Sequence, residues 1–109
     1  MEHILFIQRV KEDQKNKYIE YHKNCAQDLL NAIKNSGIER EIIWISGEQL
    51  FVYVMAQNFD FSMNILTKNE IFKDWLVLMN PLMSEVQDYS EEGRIIKLQE
   101  VFNLEKQII

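Results

Sequence analysis

The run "HILFIQRV" is rich in apolar residues, and it predicts a strand from His3 to Val10. Acidic Glu12 and Asp13 then suit the first turn of a helix. Its inward positions, Ile19, His22, Ala26, Leu29, Leu30 and Ile33, recur at helical spacing until Asn35, Ser36 and Gly37 supply a stop. "EIIWISGEQLFVYVMA" predicts two strands, Glu41 to Ile45 and Leu50 to Ala56, joined by a turn from Ser46 to Gln49 in which Gly47 permits positive φ. Asp60 or Ser62 can cap a short helical piece, and Thr67 with Glu70 has capping-box spacing for a second. Ile71, Phe72, Trp75, Leu78 and Met79 give that helix its apolar face, and Asn80-Pro81 ends it. Ser84 to Arg94 is predicted as loop, and "IIKLQEVFNL" as a closing strand with Ile96, Leu98, Phe102 and Leu104 on one side.

The resulting order, β, α, β, β, α, β, predicts an α+β fold of ferredoxin-like type, one antiparallel sheet with two helices on one face. "LFVYVMA" is apolar at nearly every position, whereas a strand with one wet face alternates. Both faces of this strand are therefore expected to be buried. Two helices cover only one of them, so a second copy of the sheet is expected on the other, in a homodimer with a closed α/β-barrel interior. A ligand cavity would alternatively use part of the apolar surface.

Composition narrows the function classes. The 109 residues are expected to form one domain, residues 1–109, and 47% hydrophobic with 27% charged residues is ordinary for a folded globular chain. A net charge of −5 and a pI near 5.0 argue against nucleic acid, whose phosphates demand clustered Lys and Arg. The best basic group, Lys11, Lys15, Lys17 and Lys23, is interrupted by Glu12, Asp13 and Glu20 and reads as a solvated helix face. The N-terminal apolar run has no basic lead or small-residue cleavage site, and no segment approaches the roughly 18 apolar residues of a membrane span, so a cytosolic protein is expected. With Cys25 as the one cysteine and His3 and His22 as the two histidines, no zinc spacing exists and no metal or cofactor is expected. Cys25 reads as a small buried hydrophobe before a nucleophile, and His3 as surface.

"KYIEYHKNC" sets Tyr18 and His22 four residues apart, on one helix face. A histidine on an apolar stripe is commonly a satisfied core residue. Here it shares its face with a phenol, and Trp44, Tyr53 and Trp75 are available nearby in the expected fold. Aromatic rings suit the apolar C–H faces of a sugar, whose hydroxyls require directed polar partners.

"YIEYHKN" with "NSGI", "IIW…LFVY", "DWLVLM" and the closing "LQEVFNLE" together resemble the L-rhamnose mutarotase family over nearly the whole chain. The resemblance implies a ferredoxin-like subunit that dimerises through its sheet and interconverts the α and β anomers of a 6-deoxy sugar, L-rhamnose or L-fucose. It implies that Tyr18 holds the sugar, that His22 donates the proton, and that Trp75 matches the first of the family's paired tryptophans. Leu76 replaces the second, Glu41 stands where a sugar-contacting tyrosine is usual, and Ala26 where a tryptophan is usual. Glu41 would then accept hydrogen bonds from sugar hydroxyls, or else be a solvated residue at a strand start.

Mutarotation needs only an acid and a base. A histidine with a pKa near 6.5 serves as either at neutral pH, and the second proton carrier would be Tyr18, or Glu100 if its strand parity turns it inward. Glu100 is otherwise a charge guarding a strand edge. Two rival readings share the architecture: a cofactor-free monooxygenase, and a family member that binds a ligand without turning it over.

Overall fold

The computed structural model describes residues 1–90 and 94–108. Strands β1 (Glu2–Val10), β2 (Ile38–Ser46), β3 (Gln49–Ala56) and β4 (Met83–Glu85) form one antiparallel sheet in the order β2-β3-β1-β4. Helices α1 (Lys15–Lys23), α2 (Gln27–Asn35), α3 (Phe59–Leu66) and α4 (Glu70–Met79) pack on one side of it, and a short α5 (Leu104–Gln107) ends the described chain. The expected ferredoxin-like α+β architecture is present. No helix among the described residues is long and apolar enough to cross a membrane.

β3 runs between β1 and β2, with Leu50, Val52, Val54 and Ala56 all buried beneath the helices. Phe6 and Val10 join them from β1, and Phe59, Leu66 and Phe72 close over them from α3 and α4. Each such buried side chain contributes roughly 1.5–3 kcal/mol of transfer free energy. The opposite face carries Leu5, Ile7, Ile42, Trp44, Phe51, Tyr53 and Met55, in cross-strand register, with Trp44 54% exposed.

Several expected elements are corrected. The first helix is interrupted: α1 stops at Lys23, and Ala26 is extended (φ −66°, ψ 146°) before α2 begins. Local polar groups cause the break. The Asn24 side chain donates to the Glu20 carbonyl (3.0 Å), and the Cys25 thiol to those of Tyr21 and His22, so these groups take carbonyls a continuing helix would use. Thr67 does not cap α4; its hydroxyl donates back to the Met63 carbonyl (2.8 Å), and Asn69 is the cap, accepting from Phe72 N. Asn58, rather than Asp60 or Ser62, caps α3 in the same way. On α4 the inward face is Phe72, Trp75, Leu76 and Met79, while Ile71 and Leu78 stay exposed.

The fourth strand is also not the expected one. Ser84 and Glu85, expected in a loop, lie in β4, and the rest of that predicted loop includes residues 91–93, outside the described ones. The closing stretch forms no strand: Leu98 N donates to Leu5 O (2.8 Å), after which the segment leaves the sheet as an exposed arm. Val101 is 90% exposed and Phe102 65%, so a single copy offers this apolar segment nothing to bury against.

Gly37 links α2 to β2 with φ at +104°, and a Cβ there would stand 2.7 Å from the Ser62 hydroxyl. Gly37→Ala is therefore expected to lower unfolding free energy by about 1–3 kcal/mol, read by urea denaturation.

Candidate active site

α1, α2 and α4 stand off from the sheet enough to leave an open cavity of about 530 Å³. Tyr18, His22, Glu41, Trp75 and Leu76 all line it. That volume lies within the range of small-molecule sites.

The helical spacing of Tyr18 and His22 stacks their rings, with centroids 4.0 Å apart. Trp75 from α4 meets His22 edge-on at 5.1 Å. The imidazole is thus held between two aromatic rings. Its Nδ1 lies 2.8 Å from the Tyr18 carbonyl, and a carbonyl only accepts, so Nδ1 carries the hydrogen of the neutral ring. Nε2 is left with a lone pair. Burial lowers the pKa of His22 below the usual 6.5, and the bond to Tyr18 only partly opposes it. With the hydrogen on Nδ1, neutral His22 offers Nε2 as an accepting nitrogen.

Glu41 enters the cavity because of a β-bulge. Ile38 pairs with Ala56 and Arg40 with Met55, so the register of β2 shifts between them. Ile38 and Glu41 would face opposite sides of a regular strand. With the extra residue, Ile38 and Glu41 both face the helices, and Glu41 pairs with buried Val54. Its side chain keeps surface that water reaches, since the cavity is open, yet the packed walls remove enough hydration to raise its pKa from 4.5 to about 7. None of the ion pairs among the described residues involves it.

The Tyr18 hydroxyl is pushed well above the usual phenol value, first by burial and then by the Glu41 charge. It stays protonated and can give a hydrogen bond. Cys25 reaches the cavity wall, where burial and Glu41 raise its pKa, so it remains a thiol. Glu100 does not point inward. It lies on the exposed arm, bonded to Lys106 (3.0 Å) and Asn103, and those bonds lower its pKa. Ala26 is exposed at the start of α2. His3 is on the surface, hydrogen-bonded to the Tyr53 hydroxyl at 2.6 Å.

Two lining residues escape a reading of the sequence. Tyr89 arrives from the loop after β4, packing edge-on against Phe6 and Phe72, with its hydroxyl donating to Gln8 Oε1 (3.3 Å). Gln8 is buried and also accepts from Gln87 N. Its signal was available: it occupies the same strand parity as Phe6 and Val10, so a polar residue was bound for the helix-covered face. No sequence signal marked Tyr89, because its position depends on a loop path.

A family profile described as L-rhamnose mutarotase matches residues 3–104. The L-rhamnose mutarotase of Formosa agariphila is 31% identical over 107 residues, covering 96% of this chain and 100% of that protein. That of Shouchella clausii is 29% identical over 100 residues, covering 90% and 93% respectively. A crystal structure of an L-rhamnose mutarotase from Formosa agariphila superposes with a TM-score of 0.75 at 27% identity, covering 95% of this chain and 99% of that one. A dimeric ferredoxin-like protein from an uncultured marine organism, at 13% identity and a TM-score of 0.51, covering 93% and 89%, shares the fold alone. With the profile spanning nearly the full length, this chain belongs to the L-rhamnose mutarotase family, whose enzymes are carbohydrate isomerases that interconvert anomers.

Proposed function

We propose that this chain acts as a single domain that interconverts the α and β anomers of L-rhamnose, or of a related 6-deoxy hexose such as L-fucose. The observation that carries this reading is the convergence of Tyr18, His22, Glu41, Trp75 and Leu76 on one cavity, with His22 Nε2 left free by the bond from Nδ1 to Tyr18. Trp75 and Leu76 present apolar surface to the C–H face and methyl group of the sugar, while the Tyr18 hydroxyl and the Glu41 carboxyl meet its hydroxyls.

Mutarotation breaks the C1–O5 bond of the pyranose. A base takes the proton from the anomeric hydroxyl, O5 is protonated, and the open aldehyde rotates about C1–C2 before O5 attacks the other face of C1. His22 Nε2 is the base in the opening direction and returns its proton on closure. A positioned acid or base of this kind accelerates a reaction by typically ~10²- to 10⁴-fold.

The chain works as a homodimer in this reading. Leu5, Ile7, Trp44 and Phe51 form an apolar patch on the sheet face opposite α1 to α4, with Leu5, Ile7 and Phe51 half-buried and Trp44 exposed, and the arm carrying Val101 and Phe102 is exposed as well. A second copy of the same sheet covers both at once.

Saturation transfer between the anomeric protons of L-rhamnose, then of L-fucose, is expected to show catalysed exchange that falls by about 10²-fold or more in His22→Ala. Unchanged exchange in that variant would remove His22 from the mechanism. Because the reaction needs neutral imidazole, the rate is expected to decline on acidification through a midpoint below 6.5. Sedimentation equilibrium is expected to give twice the 13.1 kDa chain mass, and Trp44→Arg to shift the protein toward monomer.

A further inference from the structure

His22 can take a proton from the sugar, but the ring oxygen still has to receive one. Three other candidate groups are poor sources. Tyr18 holds its proton too tightly, its phenol being raised by burial and by Glu41. The Tyr89 hydroxyl is similarly raised and already donates to Gln8. Glu100 is ion-paired on the external arm.

We propose that Glu41 is the proton donor of the reaction, working as a carboxylic acid opposite the neutral imidazole of His22. Three structural facts support it. The bulge between Ile38 and Arg40 turns the Glu41 side chain to the cavity side, where a regular strand would have turned it outward if Ile38 stayed buried. Glu41 shares the cavity with His22. No cation holds it as carboxylate, since no ion pair among the described residues includes it, although Lys34 and Arg40 line the same cavity.

Other titratable groups on that wall are Tyr18, Cys25, Glu39 and Tyr89. The first two and Tyr89 are neutral at pH 7. Loss of hydration between the cavity walls raises the pKa of Glu41 to about 7.

The proton balance closes without any other reactant. In opening, Glu41 gives its proton to O5 as the C1–O5 bond breaks, and His22 Nε2 takes the proton of O1 as C1=O1 forms. In closing, the carboxylate of Glu41 recovers the proton of the C5 hydroxyl as O5 attacks C1, and the imidazolium returns its proton to O1. Both groups regain their starting states.

The inference rests on the proposed mutarotase reading, and the test separates the two. Anomer exchange of L-rhamnose is compared across pH for wild type, His22→Ala, Glu41→Gln and Glu41→Asp. Glu41→Gln is expected to cut kcat by about 10²- to 10⁴-fold with KM nearly unchanged. The wild-type rate is expected to fall as pH rises through about 7, a limb absent in Glu41→Gln and retained in a partly rescued Glu41→Asp. A Glu41→Gln rate close to wild type, with wild-type exchange lost in His22→Ala, overturns the role of Glu41 and leaves the mutarotase reading intact. Wild-type protein that accelerates exchange of neither L-rhamnose nor L-fucose overturns both. Independently of any variant, carboxyl ¹³C NMR of Glu41 is expected to titrate near 7, and a midpoint near 4.5 overturns the proposal.

Discussion

β3 is apolar on both sides, and that constraint organises everything around it. Its even-numbered residues, Leu50 to Ala56, must be covered by helices, and Phe59, Leu66 and Phe72 supply that cover. Its odd-numbered residues, Phe51, Tyr53 and Met55, continue into Leu5 and Ile7 of β1 and Trp44 of β2, which makes the other face an equally apolar surface. A sheet with two apolar faces demands two covers. One cover is incomplete at its β2 side, and that gap is the cavity.

Two departures from regular secondary structure furnish the gap with chemistry. The break after Lys23 puts His22 in the last turn of α1, and the bulge in β2 turns Glu41 inward. They bring to one cavity an imidazole whose Nδ1 is held by a backbone carbonyl and a carboxyl whose pKa lost hydration raises to about 7. In the proposed mechanism the arrangement separates an acid from a base within one hollow, a separation that proton transfer in two directions requires.

The family relationship and the distant fold relationships carry different weight. Similarity to the L-rhamnose mutarotases spans the whole site-bearing chain, whereas the dimeric ferredoxin-like protein matches in backbone course alone. The same architecture hosts unrelated chemistries, so the family assignment rests on the profile match over residues 3–104 and on the 31% identical relative rather than on the sheet.

Local physics made much of this readable in the chain itself. The alternating and continuous apolar runs determined β1, β2 and β3, the Gly47 turn determined the hairpin, and a four-residue spacing determined that Tyr18 and His22 would stack. Such features depend on neighbours a few residues away. The identity of the fourth strand, the turned-in Glu41 and the arrival of Tyr89 were decided only in three dimensions. "IIKLQEVFNL" has the pattern of a strand yet meets β1 at Leu98 N to Leu5 O without forming a ladder, while Met83–Glu85 has almost no pattern and pairs with β1 at Arg9 and Val10. Glu41 changes face through one extra residue in β2, an event that periodicity cannot reveal because a bulge breaks the period it would be read from.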